Sequence, residues 1–223
     1  MTVKEIMTQL ESLGSQQIKN ILLKHGVKEP FFGVKIADMK PIVKKIKKDY
    51  QLAKDLYATG NADAMYLAGL IADDEKMTKK DLQTWVKNAV SNNINEYTVP
   101  WVAAEGQHGY ELAIEWIDSK DPHVAAAGWS TLANLAALKP DNELNMASLK
   151  ALLARVEKNI HQSPDRVRST MNAFIISVGS YVVPLSADAI AAAKRIGVPA
   201  TIDYIKKAKD RGSLGKKKKT VKC

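Results

Sequence analysis

Cysteine is nearly absent from this 223-residue chain. The single example, Cys223, is the last residue, which excludes an intrachain disulfide and any structural site built from several thiolates. Histidine is scarce too. His25, His108, His123 and His161 share no ligand spacing such as HExxH, so no metal site is expected. No GxGxxG follows a strand-like run, and neither GxxxxGK[ST] nor GxSxG occurs, so dinucleotide, P-loop and serine-hydrolase chemistry lose their usual signatures. No cofactor is expected. No apolar run reaches the ~20 residues that span a bilayer. The N-terminus, MTVKEIMTQLESLG, lacks the basic-then-apolar order of a signal peptide, so a cytoplasmic location without membrane attachment is expected.

Alternating strand patterns are also missing; the run Ser180 to Leu185 is short and interrupted by Pro184. What remains is helix after helix. Thr2 to Glu5 has the form of a capping box, and Ser15 can cap a second helix ending near His25. Asp38 is expected to cap a third, with Met39, Ile42, Val43 and Ile46 inward. Helices follow at about Tyr50–Ala58 and Asn61–Ala72, and another begins at Thr78. The segment Asn92–Gly106 reads as softer because of Pro100. Further helices are expected at His108–Ile117, from Asp121-Pro122 to Leu138, at Asn145–Ile160, from Ser163-Pro164 onward, at Ser186–Ile196 and at Thr201–Lys209. Short paired helices of this kind predict an all-α fold, an α-solenoid of HEAT-like antiparallel helix pairs. An irregular helical bundle is the alternative. We expect one helical-repeat domain over residues 1–212 and a basic tail over 213–223, released by Gly212 and Gly215.

Charge of one sign is in short supply. Twenty-four acidic residues face 33 basic ones, a net charge of +9, which favours polyanionic partners. Lys44, Lys45, Lys47 and Lys48 form one cluster and Lys216 to Lys219 another, each readable as a solvated face or as a phosphate contact. Among the few aromatics, Trp85 and Trp116 fall on apolar stripes. Tyr97 and Trp101 lie four apart beside Pro100, an arrangement that suits either core packing or stacking on a base.

The stretch His161 to Leu185 combines these features. Ser163-Pro164 reads as a helix start, Asp165 suits the positive end of the helix dipole, and Val167, Met171, Phe174, Ile175 and Val178 make a buried stripe. His161, Ser163, Arg166, Arg168 and Asn172 gather cationic and polar groups near that end, a candidate anion site.

The patterns FGVKIADMKPIVKKIKK and LAKDLYATGNADAMYLAGLIAD, followed by tryptophan-containing helix pairs, resemble the bacterial DNA alkylation repair proteins of the AlkD-like class. The resemblance spans most of the chain, and HQSPDRVRSTMNAFIISVGSYVVPL and DRGSLGKKKKTVKC are similar to one subgroup. It implies a HEAT-like solenoid that grips double-stranded DNA on a basic concave face. Active members release N3- or N7-alkylated purines, using an aspartate beside the deoxyribose, flanking tryptophans and an arginine on the backbone, without metal or organic cofactor. This chain departs from that pattern. After Ile94-Asn95, Tyr97 stands where the first tryptophan is expected and Trp101 where the aspartate is expected. The arginine expected in the helix after Asp121-Pro122 is replaced by a run of small residues from Ala125 to Gly128.

Three readings follow. The first is a DNA-binding relative without the usual excision chemistry, contacting DNA through Lys44, Lys45, Lys47, Lys48, Arg166, Arg168, Tyr97 and Trp101. The second is an active glycosylase with a relocated carboxylate, Glu96 or Glu105. The third is a non-enzymatic scaffold for a protein partner.

Overall fold

The computed structural model describes residues 1–222. Its described elements are thirteen α-helices, one π-helical turn and three short 3-10 turns, with no strand among the described residues. The contacts gather into two compact units, residues 1–108 with Lys222, and residues 109–221.

The first unit holds α1 (Val3–Ser12), α2 (Gln16–Lys24), α3 (Ile36–Ile46), α4 (Tyr50–Ala58), α5 (Ala62–Ile71), α6 (Lys79–Asn88) and α7 (Val99–Glu105). α5 is apolar almost all round and nearly every residue of it is buried, so it forms the centre on which α3, α4 and α7 pack. Its one early charge, Asp63, is buried too. The carboxylate accepts backbone N–H bonds from Phe32, Gly33 and Val34 at 2.6, 2.9 and 3.1 Å. That latch shapes the loop from Val27 to Val34, whose proline and glycine stop helix growth.

Several expected starts are present with their caps. Thr2 and Thr78 complete capping boxes, and Ser15 and Asn61 accept from first-turn N–H groups. Asp38 does not cap α3. The N-cap is Lys35, and Asp38 sits inside the first turn, where the helix dipole favours its charge. The segment read as soft is helical. Pro100 has no N–H to return to the preceding turn, and the chain answers by widening that turn: Ile94–Thr98 is a π-helical turn in which Val99 N–H bonds to the Ile94 carbonyl, and α7 follows directly.

The second unit holds α8 (Gly109–Ile117), α9 (Pro122–Leu138), α10 (Met146–Asn159), α11 (Asp165–Tyr181), α12 (Ser186–Ile196) and α13 (Pro199–Asp210). α9 and α11 make its most extensive contact, around the fully buried Trp129, whose ring lies 5.3 Å from that of Phe174. Small residues bring the backbones close. A Cβ on Gly128 would stand 2.8 Å from Ile117 N and 3.0 Å from Ala113 O, so α8 and α9 meet at backbone distance. Gly179 lies within α11 and makes room for Ile205 of α13.

The tail is not loose. Gly215 N–H bonds to Ser180 O, Lys218 N–H to Ala137 O, and the Lys217 ammonium to Ala136 O and Asp141. Ser180, Ala137 and Ala136 lie in helix C-terminal turns, where carbonyls have no partner inside their own helix.

Two consequences can be measured. Gly128→Ala pushes α8 and α9 apart and should cost about 1–3 kcal/mol; an unchanged urea midpoint would contradict the close approach. Asp81 supplies the second. Burial tends to raise its carboxyl, but hydrogen bonds from Thr78, Tyr50 and Lys54 outweigh it and hold the pKa at about 2, against an ordinary 3.8. The folded value lies below the unfolded one, so the stabilisation is complete above the unfolded value and is lost as pH falls toward 2. With solvent screening we expect about 1 kcal/mol between wild type and Asp81→Asn at pH 5. The gap should narrow as pH falls below the unfolded value and be mostly gone at pH 2 in chemical-unfolding curves.

Candidate nucleic-acid interface

Lys44 and Lys45 lie in the last turn of α3, exposed, where cations suit the negative end of the helix dipole. Lys47 ends the helix. Its backbone adopts φ 64°, an uncommon conformation for a residue with a side chain, while its N–H still bonds to Val43 O at 2.7 Å. The side chain is exposed. Lys48 is committed elsewhere. Its ammonium lies 3.1 Å from the carboxylate of Asp74, which is only 2% exposed. Lys222 binds the other oxygen of Asp74 at 2.5 Å. A buried carboxylate needs such partners to remain charged. Burial works against the Lys48 charge, but the hydrogen bond and charge of Asp74, with Asp73 and Glu105 nearby, raise its pKa above the usual lysine value. Phosphate contact by Lys48 therefore competes with Asp74. Nothing in the lysine run marks Lys48 as different; the one sign in the chain is the acidic pair Asp73-Asp74 at the end of α5.

Tyr97 and Trp101 part company. Tyr97 projects from the π-helical turn and is 51% exposed. Trp101 is 4% exposed, with its indole edge-on to Tyr66 at 5.6 Å and to Tyr97 at 6.2 Å. The expected nucleic-acid contact by Trp101 is thus corrected: its ring is core and supports Tyr97 from behind. The two candidate carboxylates do not share a site. Glu96 is buried at 5% exposure, and Glu105 lies nine residues on, about 13 Å along the helical path, at the end of α7.

In the second unit the candidate anion site does not assemble as expected. α11 begins at Asp165 with Pro164 at its N-cap, and no side chain caps it. The Ser163 hydroxyl points the other way and donates to Asn159 O at 2.9 Å, serving the end of α10. Asn172 accepts from the Thr201 hydroxyl at 2.5 Å and so ties α11 to α13. Arg168 pairs with Asp165 on the surface, a contact that holds the guanidinium loosely in water. His161 and Arg166 are exposed. Of the five residues, two are occupied by packing and three remain at the surface.

Comparison with known proteins is consistent with the helical-repeat architecture. One solved structure matches this chain over 100% of both chains, at a TM-score of 0.93 and 38% identity. It is described as representing a new family of proteins related to the HEAT-like repeat DNA glycosylases, with affinity for branched DNA structures. Uncharacterized proteins of Listeria innocua and Listeria monocytogenes are 28% and 27% identical over 228 residues, covering 94% of this chain and 98% of each relative. The family model described as DNA alkylation repair enzyme matches residues 6–211, and the chain belongs to that family.

Proposed function

We propose that this protein binds DNA and does not perform the base excision typical of its active relatives. The observation that carries the binding is the exposed trio Lys44, Lys45 and Lys47 around the end of α3, which no carboxylate among the described residues engages in the way Asp74 engages Lys48. Tyr97 adds an exposed ring backed edge-on by Trp101, suited to contact with a sugar or base. Arg166 and Arg168 offer further phosphate contacts in the second unit. Double-stranded DNA is the simplest partner, met in the cytoplasm, and the affinity of the structural relative for branched DNA fits the same chemistry.

The lack of excision rests on Trp101. An indole cannot stabilise a developing sugar cation as a carboxylate does, and here it is sealed in the core. A relocated carboxylate is poorly served by the alternatives: Glu96 is buried, and Glu105 lies within the field of Lys48. A protein-binding reading draws on one feature, the apolar side chains of Ile21 and Leu23 exposed on α2, a helix with no buried residue.

Two measurements test the proposal. Duplex affinity should fall steeply with salt, and changing Lys44, Lys45 and Lys47 to glutamate should lower the salt slope by about one for each phosphate that a lysine ceases to neutralise. No binding at low salt, or an unaltered slope, would remove the reading. Incubation with DNA containing N7-methylguanine should free no base above the uncatalysed background; enzymatic release would show that the excision chemistry is retained.

A further inference from the structure

A run of four lysines on a free tail would be a loose polycation. Here the segment is held along its length. Both the N–H and the hydroxyl of Ser213 bond to Ala208 O, at 2.8 and 3.0 Å. Gly215 N–H reaches Ser180 O at 2.9 Å, Lys218 N–H reaches Ala137 O at 2.8 Å, and the Lys217 ammonium reaches Ala136 O at 2.9 Å. One short segment thus closes the C-terminal ends of α13, α11 and α9.

This docking sorts the lysines. Lys217 turns inward, its side chain 19% exposed and paired with Asp141. Lys216, Lys218 and Lys219 stay exposed. Just before them, Tyr204 and Lys207 of α13 and Arg211 at its C-cap follow at spacings of three and four, along one flank of the helix, away from the buried Thr201 and Ile205. Tyr204 is 63% exposed, the most exposed of the large apolar side chains. From residue 203 to 219, seven outward cations face two carboxylates, Asp203 and Asp210.

We propose that this surface of the second unit, the Tyr204–Lys207–Arg211 flank continued by Lys216, Lys218 and Lys219, is a second nucleic-acid contact, separate from the α3 lysines. The cations hold a phosphate backbone, and Tyr204 stacks on an unpaired base at a fork or strand end. The inference rests on the DNA-binding reading and adds the DNA form that this surface selects. Three features favour it. The backbone is already ordered, so binding costs less entropy than it would from a free tail. An exposed aromatic among cations is the arrangement that grips single strands. A membrane surface would instead call for an apolar helix face, and that face of α13 is used in the core of its own unit.

The test compares a forked DNA having unpaired arms with a fully paired duplex of equal length, by fluorescence anisotropy across a salt series. The K216Q/K218Q/K219Q variant leaves Lys217 and its helix contacts intact; equal thermal midpoints establish that it is folded. It should lower the salt slope on both DNAs by about two to three. Tyr204→Ala should weaken binding to the fork roughly 5- to 100-fold and leave the duplex unchanged. If wild type binds both DNAs and the α3 variant behaves as expected, yet neither of these variants differs from wild type, the second surface is refuted alone. If wild type binds neither DNA, the DNA-binding reading falls with it. Binding to vesicles of anionic lipid, without binding to the fork, would assign the patch to a membrane surface and overturn the inference.

Discussion

A helix leaves its first N–H groups and last carbonyls without partners, and a chain built from helices meets that constraint at every turn. Much of this structure is an answer to it. Asp49, Asp121 and Asn145 join the threonines, Ser15 and Asn61 in capping helix starts with a side-chain oxygen. Helix ends are met differently, by the C-terminal segment in the second unit and by Lys222 beside Ala72 O and Asp74 in the first. Lysines suit that position because a cation there also meets the negative end of the helix dipole.

The second determinant is close approach. α5 and α9 carry several alanines and a glycine and are buried nearly all round, so neighbouring elements pack closely on them, at backbone distance where Gly128 meets α8. Gly69 against Thr98, Gly128 against Ile117 and Gly179 against Ile205 each admit a neighbour where a methyl group would collide. The result is a rigid support in each unit, and rigid supports make fixed charges at their surfaces effective.

Basic residues accordingly fall into two groups. Lys48, Lys217 and Lys222 neutralise acidic groups or helix ends, while Arg155 and Arg195 tie neighbouring helices together through Asp118 and Glu157. Lys44, Lys45 and Lys47 on one unit, and the lysines of α13 with Lys216, Lys218 and Lys219 on the other, remain turned to solvent. A positive net charge alone does not separate these groups; the separation depends on which carboxylates and carbonyls each side chain reaches.

The order of elements was readable from residue pattern, because apolar spacing, threonine and aspartate caps and proline starts are local properties. The all-helical class and most helix starts followed from them, as did the membership of Trp85 and Trp116 in the core. Tertiary contact decided the rest. Pro100 looked like a breaker, but a widened turn and a buried setting let helix continue through it. Tyr97 and Trp101 looked equivalent, and only packing against Tyr66 sent one inward and left the other out. Ser163 and Asn172 looked free for an anion, until the ends of α10 and α13 claimed their hydrogen bonds. The lysine runs looked uniform, and buried Asp74 and the open end of α9 singled out Lys48 and Lys217. In each case local sequence set what a residue could do, and the physical reason it did one thing rather than another was a partner distant in the chain.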